Sequence, residues 1–425
     1  MKRIALLLTV CLMAVLTKAQ TWQKMPQTNG IDTRVNWVIS KGGKLYAATA
    51  NGVWCSASGT GEDWTCLGLQ DKEVLFINAD DKFIAFTQCD DAYKNVNGQE
   101  ELDWNKAGTA TRKAGQMYEY TGGVFELKNW NPQKRMNRVP TTGMAQIRNE
   151  QGNLVLIVPT WGDGIWRSED GGETFEQVPS FNGDSFDDGI VNNVNVTGAW
   201  ADPYTPGRVY ATDKATGSDH YVLESTDYGK TWHAVYIGNV ANPWTFFTRK
   251  MNGEQIYYFG GENGSDGQAV LSSTKVEDEA FEPFVPTDMT NGYYWHNFMM
   301  LGYDDGPMFV LLSLTGVFTY DETEKTLTLL GEGFEVGPED TQTEDKRKHM
   351  SMAVLNGKLY VSGRTNFIQM CDVSNLVPSE TGIKSVTNTT ITDGITYDLQ
   401  GRRTNGKQRG ISLVKTANGV KKVIR

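Results

Sequence analysis

The sequence predicts an all-β chain, a seven-bladed β-propeller of four-stranded blades followed by a short C-terminal β module. Three observations predict it. Short apolar runs recur in a fixed order at intervals of roughly 40 to 70 residues, a repeat that suits four-stranded blades with loop insertions. One turn phrase is spelled twice, as SEDGGETF (Ser168 to Phe175) and STDYGKTW (Ser225 to Trp232). The 425 residues include 45 Gly, 12 Trp, 17 Tyr and 17 Phe, with few heptad-like apolar patterns. That composition favours short strands and tight turns.

At the N-terminus, Lys2-Arg3 precedes the apolar run IALLLTVCLMAVL (Ile4 to Leu16) and then TKA. This pattern predicts a secretory signal peptide over residues 1–19, cleaved after Ala19. The run is too short to span a bilayer, so no membrane span is expected. Without Lys2, Arg3 and Lys18 the formal charge of −11 becomes −14. Residues 391–425 carry eight Lys or Arg against Asp393 and Asp398, a tail of +6, which leaves about −20 on residues 20–390. An acidic body of this kind argues against nucleic acid as a partner.

The repeated units read KLYAAT, GVWCSA, DWTCLG; NLVLIV, GIWRSE, TFEQVP; RVYATD, YVLEST, TWHAVY; with looser later copies such as PMFVLL, GVFTYD, LTLLG. Each triplet follows another short apolar run, so units of four strands begin near Val35, Val74, Met144, Asn195, Trp244, His296 and Met350. The seventh lacks an obvious fourth strand before Pro378. TWQKMPQ (Thr21 to Gln27) is similar to the fourth-strand copies and is expected to pair with the last unit, closing the ring without an open edge. The propeller is therefore assigned to residues 20–377, a linker to 378–394 and the β module to 395–425.

The repeated phrase has the skeleton S-x-D-x-G-x-T-aromatic and falls between the third and fourth strands of its unit. Asp170 or Asp227 can accept hydrogen bonds from the turn's own N–H groups, and Gly172 or Gly229 can take positive φ. Ser168 or Ser225 and Thr174 or Thr231 can tie the hairpin legs, with Phe175 or Trp232 packing inward. SASGTGEDW (Ser56 to Trp64) reads as a decayed third copy with Ser58 in the Asp position. These residues match the Asp box, and GDGIWRSEDGGETF resembles the Asp-box (BNR-repeat) propellers of the sialidase, sortilin and xyloglucanase group. In those families the box lies at the periphery, so the resemblance implies a structural role. Sialidases place one of three substrate-binding arginines in an RIP motif ahead of the opening blade. The nearest text here, RVP (Arg138 to Pro140), falls between the second and third units, and no arginine set surrounds it.

Cys55 and Cys66 flank the decayed turn, and opposed hairpin positions can approach disulfide distance. A disulfide there is expected to replace the missing carboxylate. Cys89 and Cys371 belong to different units and are read as free thiols. His220, His233, His296 and His349 show no metal-ligand spacing, so no metal and no cofactor is expected. GDSFDDG (Gly183 to Gly189) lacks the EF-hand pattern.

Loops joining second to third strands, and one blade to the next, gather on one propeller face. The candidate ligand contacts there are Trp104, Trp130, Arg138, Trp161, Asp163, Tyr293, Tyr294, Trp295, His296, Arg347, His349 and Arg364. Aromatic rings beside polar groups suit a sugar or a peptide groove. Asp163, Asp187, Asp188, Glu262 and Asp304 are the carboxylates placed for glycosidase work, which needs two about 5 to 10 Å apart; no pair stands out, and no catalytic residue is assigned.

The tail ITYDLQGRRTNGKQRGISLVKTANGVKKVIR resembles the C-terminal sorting modules of secreted Bacteroidetes proteins. Tyr397, Leu399, Gly401 and Arg402 match the first strand, Gly410 to Val414 the second with Ser412 in place of Tyr, and Lys421-Lys422 the basic hairpin. The resemblance implies outer-membrane export by a type IX-like route, with the secretion machinery as partner. The expectation is a secreted or cell-surface module that binds glycan or extracellular protein, with a glycoside hydrolase as the alternative.

Overall fold

The computed structural model describes residues 20–31, 34–87, 93–96, 99–102, 115–130, 140, 142–160, 164–178, 196–214, 220–238, 243–263, 267–273, 282–283, 298–312, 316–335, 350–363, 366–378, 395–397, 403–404, 411–416 and 419–424. One compact unit runs to Glu380 and a second spans Thr381–Arg425. The leader expected at residues 1–19 lies outside the described residues.

The first unit is all-β, with four-stranded antiparallel blades in a propeller ring. Its first sheet is Val35–Lys41, Lys44–Thr49, Gly52–Ser56, Trp64–Gly68, and its second is Val74–Asn78, Ile84–Thr87, Met117–Thr121, Val124–Leu127. The third is Ala145–Arg148, Leu154–Thr160, Gly164–Ser168, Glu176–Gln177, and the fourth is Val196–Ala201, Val209–Lys214, His220–Ser225, His233–Gly238. The fifth is Pro243–Met251, Glu254–Asn263, Gly267–Ser273, Glu282–Pro283, and the sixth is Phe298–Gly302, Met308–Leu312, Gly316–Asp321, Thr326–Leu329. The seventh joins Ser351–Leu355, Lys358–Ser362 and Gln369–Asp372 to Gln23–Lys24 from the N-terminus. An insertion in the second sheet adds a hairpin, Tyr93–Val96 with Gln99–Leu102.

The ring counts as six blades, not the seven expected from the sequence. Hydrogen bonding nevertheless groups seven four-stranded sheets before residue 381. Three of them end in an outer strand of only two residues, Gln23–Lys24, Glu176–Gln177 and Glu282–Pro283.

First strands of most successive sheets lie side by side around the centre. Buried side chains fill the spaces between sheets, because alternate residues of a strand point to opposite faces and both faces meet a neighbour. The third and fourth sheets enclose Val155, Ile157, Ile165, Val196, Val209 and Leu223. The fifth and sixth enclose Tyr258, Met300, Met308, Val310 and Phe318. Met299 packs against two of these cores, one built on the first three sheets and one on the sixth and seventh.

Ring closure by the N-terminus occurs as expected. Gln23 pairs with Met370 and Lys24 with Gln369, and Met25 N donates to Ile368 O at 2.8 Å. The strap also reaches the sixth sheet's exit: Trp22 N donates to Glu332 O at 2.9 Å, Glu332 N to Gln20 O at 3.0 Å, and Trp22 Nε1 to Leu330 O at 2.6 Å. Trp22 and Met25 are buried, so the first described residues tie two sheets at once.

The second unit holds one four-stranded sheet, ordered Arg403–Thr404, Ile395–Tyr397, Ile411–Thr416, Gly419–Ile424, all antiparallel. Thr416 pairs with Gly419, which makes the basic segment one leg of a tight hairpin.

Candidate functional site

Because neighbouring strands are antiparallel, turns joining first to second and third to fourth strands emerge on one face of the ring. Second-to-third loops and sheet-to-sheet connections emerge on the other. The repeated turns therefore lie on the face opposite the expected ligand loops.

The two repeated turns are built alike. Ser168 Oγ donates to Asp170 Oδ1 at 2.7 Å and accepts from Gly172 N at 2.8 Å. Glu173 N and Thr174 N donate to Asp170 Oδ1 at 3.0 and 2.9 Å, and Thr174 Oγ1 to Oδ2 at 2.5 Å. In the second copy the corresponding distances are 2.8 and 2.9 Å at Ser225, then 3.0, 2.9 and 2.6 Å at Asp227. Gly172 and Gly229 have φ of 98° and 79°, and a Cβ on Gly229 would sit 2.5 Å from Ile157 Cδ1. Burial opposes the charge on Asp170, but hydrogen bonds from Thr174 Oγ1, Thr174 N, Ser168 and Glu173 N outweigh it and hold the carboxyl at about 2. Asp227 is lowered in the same way. Both carboxylates are spent on their own turns.

The third copy keeps the design with the carboxylate moved. Ser56 Oγ accepts from Gly59 N at 3.1 Å and Gly61 N at 3.4 Å, and donates to Asp63 Oδ1. Asp63, just before the aromatic Trp64, accepts from Ser58 N at 2.8 Å. The hydrogen bond from Ser56 is the chief reason that Asp63 titrates below the usual carboxylate range.

The disulfide expected beside this turn does not form: Cys55 and Cys66 are both free thiols. Cys55 pairs with Thr65 and Cys66 with Trp54, so the two cysteines are offset by one register position and point to opposite faces of the sheet. Cys371 is a buried free thiol, and Cys89 lies outside the described residues.

Each turn is also held by the preceding sheet through its fourth residue. Lys82 Nζ donates to Gly171 O at 2.8 Å, Arg167 Nε to Tyr228 O at 2.8 Å, and Tyr360 OH to Gly59 O at 2.7 Å. The turns thus clasp neighbouring sheets. Nothing in the sequence near the turns announces these three donors.

Of the expected ligand contacts, Trp130 is described, and it is a core residue. It is only 8% exposed and meets Phe86, Trp166 and Phe175 edge-on at centroid distances of 5.9, 5.8 and 5.0 Å. The ring packs between the second and third sheets, which corrects its assignment to a ligand surface. Trp104, Arg138, Trp161, Asp163, Tyr293, Tyr294, Trp295, His296, Arg347, His349 and Arg364 lie outside the described residues.

Asp304 is also corrected. It sits in a first-to-second strand turn, on the face opposite the expected ligand loops. There it accepts from Lys250 N at 2.9 Å and from Tyr204 OH, contacts that lower its pKa. It ties the turn to the fourth and fifth sheets. Asp187 and Asp188 lie outside the described residues, and Glu262 lies in the second strand of the fifth sheet.

On the expected ligand face, Arg34 and Glu73 enter the first and second sheets as an ion pair, each less than one-third exposed. Asn36 Nδ2 closes the group by donating to Val74 O at 2.8 Å. Among the described residues no group of three His, Cys, Asp or Glu could hold a metal ion. A cavity of about 220 Å³ opens at the opposite end of the first strands, lined by Ile39, Ser40, Lys41, Asn78, Ala79, Asp80, Leu301, Met352 and Ala353.

No protein-family model matches the chain, and no curated protein matches it. Solved structures do share its fold. A GH74 enzyme from Niastella koreensis aligns with a TM-score of 0.50 at 14% identity, over 95% of this chain and 60% of that one. The extracellular domain of a putative hybrid two-component system from B. thetaiotaomicron gives 0.52 at 9%, over 95% and 45%. Virginiamycin B lyase from Staphylococcus aureus gives 0.52 at 10%, over 83% and 99%. The chain thus spans under two-thirds of the first two. At such identities the likeness concerns the fold.

Proposed function

We propose that the protein is a secreted or cell-surface propeller that binds a glycan or an extracellular protein. The observation that carries this reading is how the described carboxylates are used. Asp63, Asp170 and Asp227 are each consumed by hydrogen bonds within their own turns and Asp304 by hydrogen bonds from Lys250 N and Tyr204 OH, which leaves none of them to act as acid or nucleophile. A rigid ring of sheets with aromatic and polar loops suffices for binding.

On this reading the repeated turns are Asp boxes of BNR type. Residues 1–19 serve as the secretory signal and residues 395–425 as a type IX-like sorting module. Ligand contacts come from Trp104, Arg138, Trp161, Asp163, Tyr293, Tyr294, Trp295, His296, Arg347, His349 and Arg364. The likeness to an extracellular sensor domain agrees with binding outside the cell.

The likeness to a GH74 enzyme supports the second reading, a glycoside hydrolase. A glycan array probed with the mature chain, run beside a panel of polysaccharides and aryl glycosides, separates the two. Binding without turnover is expected. Turnover abolished by Asp163→Asn or another single loop carboxylate-to-amide change would establish the hydrolase instead.

A further inference from the structure

We infer that the cavity at this end of the first strands is a binding site for a free apolar α-amino acid. It lies on the face opposite the loops invoked above and stands independently of that reading. Four first strands contribute: Ile39, Ser40 and Lys41 from the first sheet, Asn78 with Ala79 and Asp80 beyond it from the second, Leu301 from the sixth, and Met352 and Ala353 from the seventh.

The lining combines two kinds of chemistry. It includes a cation and an anion, Lys41 and Asp80. Lys41 Nζ donates one hydrogen to Asp80 O at 2.7 Å, which leaves two of its three N–H donors for a ligand. Asp80 Oδ2 accepts from Asn78 Nδ2 at 3.0 Å, and Oδ1 has no partner among the described residues. Asn78 is itself fixed, because its Oδ1 accepts from Gln146 Nε2 at 2.5 Å and from Asp80 N at 3.2 Å. The lining also includes the aliphatic and thioether side chains of Ile39, Leu301, Met352 and Ala353.

A ligand carrying an ammonium and a carboxylate on one carbon, with an aliphatic side chain, matches both kinds of lining group. A simple anion would meet Asp80 and a simple cation Lys41. A sugar would find no aromatic ring in the lining. The volume of about 220 Å³ falls below the roughly 300 to 1,000 Å³ of drug-sized pockets and suits a single residue. Lys41 and Asp80 are exposed, so each charge contributes weakly and the expected Kd for L-leucine is on the order of 1 mM.

Isothermal titration of the full mature chain with L-leucine tests this, beside 4-methylpentanoate, which lacks the amine, 3-methylbutylamine, which lacks the carboxylate, and glucose. L-Leucine should bind, and each one-charge analogue should bind at least about tenfold more weakly. Lys41→Gln and Asp80→Asn change exposed side chains and leave the cores alone; each should weaken leucine binding about tenfold. No leucine binding at about ten times the expected Kd, undiminished binding in both variants, or glucose bound in preference would each overturn the assignment.

Discussion

The first-sheet turn and the two later turns solve one problem with different residues. In the turns at Ser168 and Ser225 the carboxylate stands third and a threonine stands just before the aromatic. In the turn at Ser56 the order is reversed, with Ser58 third and Asp63 just before Trp64, in a loop one residue longer. Both arrangements let one carboxylate accept from backbone N–H of the turn while the leading serine Oγ accepts from a glycine N–H three to five residues farther on. In all three, the carbonyl three residues after the serine accepts from the preceding sheet. What stays constant is the leading serine, the anchored carbonyl and the final aromatic. The carboxylate's address is free so long as its oxygens reach the turn.

The comparison breaks most completely if the support under the first turn is removed. That turn rests on the closing strap, where Trp64 Nε1 donates to Pro26 O at 3.2 Å, Thr28 Oγ1 donates to Gly61 O at 3.0 Å, and Gly61 has no room for a Cβ against Pro26 O. Deleting residues 20–28 removes these contacts together with buried Trp22 and Met25. Losing either large side chain costs about 2 to 5 kcal/mol, so the truncated chain should lose more than about 5 kcal/mol. A thermal melt matching the parent would show that the strap does not close the ring. Deletions of similar length near the later turns lack this coupling to the N-terminus.

Moving the carboxylate gives the next largest effect. Asp227→Ala and Asp63→Ala should each cost about 2 kcal/mol, the scale of hydrogen bonds to a charged acceptor, measured by urea unfolding. The pair Ser58→Asp and Asp63→Thr rewrites the first turn in the order of the others. It should recover at least half of the loss seen in Asp63→Ala. A double variant as unstable as Asp63→Ala would show that the longer loop demands its own address for the charge.

Titration sharpens the comparison further. The folded carboxyl of Asp170 lies at about 2, against about 3.9 for an unperturbed Asp. Its contribution is therefore complete above about pH 4 and is lost as pH falls towards 2. The side chain is solvent-exposed, so screening keeps that contribution under about 1 kcal/mol. Asp170→Asn should flatten the stability profile between pH 4 and 2 by that amount; an unchanged slope would assign the acid sensitivity to other carboxylates.

Much of the ring was legible because first strands are written as apolar runs. Units expected at Val35, Val74, Met144, Asn195, Trp244, His296 and Met350 open at Val35, Val74, Ala145, Val196, Pro243, Phe298 and Ser351. The closing strand was readable because it spells a fourth strand out of place. Asp63 was missed because a fixed template looks only at the third position, although a carboxylate beside the aromatic was there to be seen. Lys82, Arg167 and Tyr360 were missed because they come from a different sheet, and chain spacing carries no signal for a contact made by ring packing. Trp130 misled because a tryptophan in a loop-like stretch reads the same whether it faces a ligand or three other aromatic rings.

The smallest effect is expected where the first turn differs most visibly in composition, at its flanking cysteines. A covalent tie there would have compensated for the missing third-position carboxylate, and Asp63 removes the need for one. The two thiols occupy opposite faces of the sheet, and burial raises the pKa of each, so little thiolate forms near neutral pH to attack any disulfide reagent. A chain of residues 20–425 should therefore melt at the same temperature with and without reductant. Replacing Cys55 and Cys66 together by Ala should change stability by no more than about 1 to 2 kcal/mol, the cost of trimming one buried and one half-buried small side chain. Non-reducing peptide mapping decides the matter: a Cys55–Cys66 peptide would show that the sheet can shift register to join them, and two alkylated thiols would leave the relocated carboxylate as what completes the turn.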